Sequence, residues 1–208
     1  MDASTPIFLA GLTERAARGV GHIAGRADAC IAASRALARV LELRGHKARL
    51  LPCRVAVWNR VWIGHIAETG RSPGSMDEAT DLMMRGGWCV ALGAGYPDDR
   101  DAPFGYRPER NSYNGHMVVV ADDRWLLDPT LGQTSDPEHL IVTGPLTTSI
   151  DDPRFLQGRA HLASLFVWPP HDRVHITYEA MPNDISFRAT DIWDDPAWER
   201  ISAYVSAA

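Results

Sequence analysis

Cys30, His116 and Asp128 are the residues of this chain whose types and order suit nucleophilic attack on a carbonyl. A thiol becomes a nucleophile as its thiolate, which a helix start or a neighbouring imidazolium favours. An imidazole in turn needs a partner that fixes its tautomer, and a carboxylate does this while stabilising the imidazolium. Cys30 opens the clearest helical stretch, residues 29–44 (ACIAASRALARVLELR), where Leu37, Val40, Leu41 and Arg44 recur at helical spacing. First-turn N–H groups and the macrodipole there favour a thiolate. Asp28 reads as the N-cap and Gly45 as the residue after the C-cap. An aspartate so close opposes the thiolate unless its carboxylate turns to the helix N–H groups, so Cys30 needs a histidine.

The histidine comes from a hairpin. His116 begins HMVVV and Asp128 lies in WLLDPT, the strand that returns after Asp122-Asp123. A hairpin centred on Asp122 would set His116 directly opposite Asp128, with Cβ atoms about 4.5–5.5 Å apart. Both faces of this hairpin are apolar, which marks it as central in a sheet. A histidine and an acid inside it need each other or some other partner. Asp128 could instead cap a turn at Pro129-Thr130.

Other elements frame these. Ser4-Thr5-Pro6 starts a helix running to about Arg18, with Gly19 and Gly21 ending it. Residues 47–58 read as a strand in which Pro52 marks a bend or an edge. Residues 59–115 carry Gly, Pro and Asp, with one short helical piece near 77–84, and read as an insertion that shapes the cleft. Strands resume with HMVVV, WLLDPT, SLFVW, RVHITYEA and DISFRAT, and a last helix spans 195–206 after an Asp cap and Pro196. Helices first and strands later predict an α+β fold on an antiparallel sheet, one domain over 1–208.

Two blocks, CIAASRALARVLELRGHKARLLP (30–52) and GHMVVVADDRWLLDPT (115–130), resemble the core of the transglutaminase-like superfamily. That resemblance implies a papain-like core with Cys30 as nucleophile, His116 as general base and acid, and Asp128 as the orienting carboxylate. It further implies acyl transfer through a thioester, by a protease, amidase, deamidase or transglutaminase. Hydrolysis is the expectation, because a transferase must hold an amine and exclude water. A side chain that joins the Cys N–H in binding the oxyanion is common in such enzymes. Upstream of Cys30 only His22 and Arg26 are polar candidates, so that donor stays unassigned. Arg26, Trp58, Trp88 and Tyr113 are weaker candidates for contacting a protein, peptide or small amide substrate.

Alternatives remain. RGGWC (85–89) resembles the signature of arylamine N-acetyltransferases and would make Cys89 the nucleophile, but Val90, Ala91, Leu92 and Gly93 follow it where that family has an acid. The same fold also serves as a non-catalytic binding scaffold. Cys53, beside Pro52, reads as a packed core thiol. The eight histidines form no metal motif, and no cofactor signature is present, so neither a metal nor a cofactor is expected.

The composition narrows the classes further. The 208 residues carry a formal net charge of −5, and Lys47 is the only lysine among 21 basic residues. Scattered arginines on an acidic chain argue against a nucleic-acid partner. They read as coding bias, although arginines could grip an acidic substrate. No apolar run approaches a membrane span. An acidic N-terminus and three scattered cysteines suggest a reducing compartment, hence the cytoplasm.

Overall fold

A computed structural model describes residues 4–24, 29–93, 104–108, 111–151, 163–167 and 174–207. The chain is mixed α+β, and its main sheet is antiparallel. Helix α1 (Ser4–Gly19) leads into a π-helical stretch, Val20–Ala24, so the chain winds on through Gly19 rather than stopping there. Helix α2 (Cys30–Leu43) follows, and strand β1 (Ala48–Trp58) leaves it after Gly45, which adopts the expected left-handed φ of +84°.

Strands β5 (His116–Ala121), β6 (Trp125–Asp128), β7 (Leu146–Ser149), β8 (Ala163–Val167) and β9 (Val174–Ala180) complete the large sheet in the order β7-β6-β5-β1-β9-β8. A further short strand, β2 (Cys89–Leu92), pairs with the second half of β1, where β5 has already ended. Pro52 lies inside this central strand, contrary to an edge position. Its carbonyl accepts from the Met181 N–H, so its ring nitrogen faces the β9 side. The β9 ladder begins only at Cys53, so the missing N–H removes no bond from it.

Two cores sandwich the sheet. On one face Leu9, Leu12 and Ala16 of α1, Ala33, Leu37 and Leu41 of α2, and Ile201 and Val205 of α6 (Ala197–Ser206) bury Val119, Ala121 and Leu127. On the other, Leu51, Val55, Val57, Val118, Val120, Leu126, Ile176 and Tyr178 close together. The alternation of Val118 and Val120 against Val119 follows from the two-residue period of a strand. Every residue of β5 is buried, the signature of a strand covered on both sides.

Residues 59–115 hold more regular structure than their composition suggests. Helix α3 (Arg60–Thr69) is capped by Asn59, whose side chain accepts from the Trp62 N–H. Helix α4 (Met76–Met84) is capped by Ser75, and β3 (Gly105–Arg107) pairs with β4 (Ser112–Asn114). The α3 sequence hides its helix behind β-branched residues and Gly64, and it buries none of its own residues, so it shows no apolar stripe. The stretch 184–190, expected as a strand, contains a 3-10 turn at Ser186–Ala189 and leads to the four-residue helix α5 (Asp191–Asp194). There the Asp184 carboxylate accepts the Ser186 N–H, a local bond that favours a turn over a ladder.

Candidate functional site

The hairpin that carries the histidine turns through Asp122 and Asp123, both at positive φ (+53° and +52°), with Arg124 N–H bonded to the Ala121 carbonyl. Aspartate tolerates this conformation better than most residues. Asp122 also latches the start of β1, accepting the Lys47 N–H and pairing with His46 Nδ1 at 2.8 Å. The hairpin is centred on Asp123 rather than on Asp122. Val119 therefore pairs with Leu127, and Asp128 falls nearer Val118 than His116. Direct opposition of His116 and Asp128 is thus wrong by two positions, an even shift that keeps both side chains on one face. They meet diagonally, His116 Nε2 to Asp128 Oδ2 at 2.8 Å, both fully buried.

Asp128 accepts from more than the imidazole. The Thr130 N–H and hydroxyl donate to Oδ1 at 3.0 and 3.4 Å, and the Tyr178 hydroxyl donates to Oδ2 at 2.9 Å. The capping turn at Pro129-Thr130 and the histidine bond therefore coexist, one on each carboxylate oxygen. The sequence alone does not single out Tyr178. Its position in β9 offers no local signal, because only the sheet order brings β9 and β6 onto one curled face.

Burial works against a charged His116, but the Asp128 carboxylate, by charge and by hydrogen bond, outweighs it, and Cys30 adds to the same side. The imidazole is pushed up to about 10 and is held as imidazolium at neutral pH. Its second nitrogen, Nδ1, is buried without a hydrogen-bond partner among the described residues.

Cys30 begins α2 and is 6% exposed. The N-cap position falls on Ala29, whose side chain offers no cap, and Asp28 and Arg26 lie outside the described residues. Cys30 packs with Ile31, Met117 and Phe187 and opens onto a cleft of about 420 Å³. Tyr113, Gly115, Gln133, Asp191 and Ile192 also line it. Gly115, immediately before His116, leaves room for the Tyr113 ring: a Cβ there would lie 2.5 Å from that ring. The Tyr113 hydroxyl donates to Asp184 at 2.9 Å, which fixes the ring as a wall of the cleft. Burial and then the Asp184 carboxylate push its phenol well above the ordinary tyrosine range.

The other expected residues lie elsewhere. Trp88 stacks on His139 with ring centroids 3.7 Å apart, and Trp58 packs edge-on against His175, so neither lines the Cys30 cleft. Cys53 is buried in β1 opposite His116, where burial and then Asp128 push its thiol well up. Cys89 opens β2 opposite Trp58, with no helix behind it, and burial raises its thiol to about 12. Among the described residues no three His, Cys, Asp or Glu side chains gather as metal ligands would, and no helix is long and apolar enough to cross a membrane.

No protein-family model matches the chain, and no curated protein or solved structure matches it either.

Proposed function

We propose that the protein is a cysteine-dependent acyl-transfer enzyme that hydrolyses an amide or peptide bond through a thioester. Cys30 is the nucleophile, His116 carries the proton and Asp128 orients His116. One observation carries this reading: a buried Asp128–His116 pair whose other ring nitrogen has no hydrogen-bond partner by geometry among the described residues, and whose imidazole interacts with Cys30, a thiol at a helix start on an open cleft. The order of parts supports a likeness to transglutaminase-like enzymes with a papain-like core: cysteine at the start of α2, histidine at the start of β5, carboxylate at the end of β6.

In the reaction the Cys30 thiolate attacks the carbonyl carbon, and the carbonyl π pair moves to oxygen as the C–S bond forms. Collapse of that oxyanion breaks the C–N bond, and the amine leaves with the proton from His116 Nδ1. The neutral imidazole next takes a proton from water as the water oxygen attacks the thioester. The C–S bond breaks, the acid departs, and the thiolate–imidazolium pair is restored. Throughout, Nε2 keeps its bond to Asp128, so the ring does not rotate between the two proton transfers.

The test is acylation by p-nitrophenyl acetate with peptide mapping by mass spectrometry. An acetyl group on the Cys30 peptide, absent in Cys30→Ser and strongly reduced in His116→Gln, is the expected result. Acetylation at Cys89 instead would hand the chemistry to the acetyltransferase-like alternative. No acetyl-cysteine at all would make the fold a binding scaffold.

A further inference from the structure

Two of the buried polar atoms without a hydrogen-bond partner among the described residues are His116 Nδ1 and, on a residue lining the Cys30 cleft, Gln133 Nε2. The first has its use in the reaction just described. The second belongs to a 3-10 turn, Leu131–Thr134, that leaves β6 directly after Asp128-Pro129-Thr130. The turn is firmly held: Leu131 and Thr134 are buried, and the Leu131 carbonyl accepts from the hydroxyls of both Thr134 and Thr143. The Gln133 N–H is bonded to the Thr130 carbonyl. The backbone that carries Gln133 is therefore anchored by the same short segment that anchors the Asp128 carboxylate.

A buried amide N–H₂ without an acceptor is destabilising. Such a group is tolerated where a ligand supplies the acceptor. Gln133 lines two hollows. The smaller, edged by Ala17, Val20, Gly21, Thr130 and Pro145, holds neither a nucleophile nor an ionisable side chain. The larger holds Cys30 and the start of α2, where the capping residue Ala29 leaves the first-turn N–H groups without a side-chain cap. Donors at a helix start and an unpaired amide on a held backbone, lining one cleft with a thiol, are the parts of a site for developing negative charge on oxygen.

We infer that Gln133 is a catalytic residue, its side-chain amide donating with the α2 N–H groups to the oxyanion formed when Cys30 attacks a carbonyl. The inference rests on the thiol-enzyme reading above. It assigns the donor that the sequence leaves open, and it places that donor after the carboxylate strand. Attack converts the trigonal carbonyl carbon to a tetrahedral one, with the new C–S bond formed and the π pair lodged on oxygen. Gln133 stabilises that charge and transfers no proton.

The test separates reactions that make an oxyanion from one that does not. Iodoacetamide alkylates Cys30 by displacement of iodide, with no charge developing on a carbonyl oxygen, whereas p-nitrophenyl acetate must pass through a tetrahedral oxyanion before p-nitrophenolate leaves. In Gln133→Met, which keeps the side chain's length and loses the donor, acetylation of Cys30 should slow about a hundredfold. Alkylation of Cys30 should stay within twofold of the native protein, which also shows that the site is still folded; Gln133→Leu should behave the same way. If both reactions fall together, or neither changes, Gln133 has no oxyanion role. Native protein that is alkylated at Cys30 but never acetylated overturns the oxyanion site while leaving the reactive thiol. Native protein whose Cys30 does neither overturns the enzyme reading and this inference with it.

Discussion

Cys30 and Cys89 each open an element of regular structure, and the two places give sulfur different surroundings. Cys89 is the more exposed residue, yet its thiol is driven up to about 12, because burial of the sulfur is offset by little beyond a backbone hydrogen bond at Val57. Cys30 is nearly covered, but it sits at the first turn of a 14-residue helix and acts on an imidazole that Asp128 holds charged. What distinguishes them is the company of a cation and of aligned N–H dipoles, which a strand start cannot provide.

The contrast is broken most forcefully by removing the carboxylate. Asp128→Ala strands a buried imidazole, a buried tyrosine hydroxyl and Thr130 donors, and should cost about 3–5 kcal/mol in urea unfolding. It should also bring the reactivity of Cys30 down to that of Cys89. His116→Gln is milder for stability, since an amide can still donate to Asp128. It should slow acetylation of Cys30 by at least about a hundredfold while leaving Cys89 unchanged.

A pH series sharpens the same point. The folded-state pKa of His116 lies above that of an unfolded histidine, so folding is helped by the bound proton. That contribution is complete below the unfolded value, near 6.5, and is lost as pH rises through about 10. Urea midpoints of the native protein should therefore decline between those limits, and the decline should be shallower in His116→Gln. An equal slope in both would place the stabilising proton elsewhere.

The smallest expected effect is at Tyr178. Tyr178→Phe removes one of four donors to Asp128 and should reduce stability by about 1.5 kcal/mol. Acetylation of Cys30 should slow only severalfold, because the imidazole bond survives. If the variant is as slow as His116→Gln, the hydroxyl carries more of the orientation than the geometry assigns to it.

The sequence makes some of these parts legible and hides others for physical reasons. Cys30 at a helix start, the Gly45 exit and the apolar β5–β6 pair follow from local periodicity and capping chemistry. The diagonal meeting of His116 with Asp128 does not, because the centre of the turn sets register and two aspartates at positive φ place it at Asp123 rather than Asp122. Tyr178 and Gln133 become visible only once the strand order and the turn after Asp128 are known. Trp58 and Trp88 stand out by residue type alone, and the structure uses both in packing against histidines.

The most direct test is site-resolved alkylation of the native protein with limiting iodoacetamide at pH 7, quantified peptide by peptide. Cys30 should be modified at least tenfold faster than Cys89 and Cys53, and that advantage should vanish in His116→Gln. Equal rates at Cys30 and Cys89, or faster labelling at Cys89, would contradict the account.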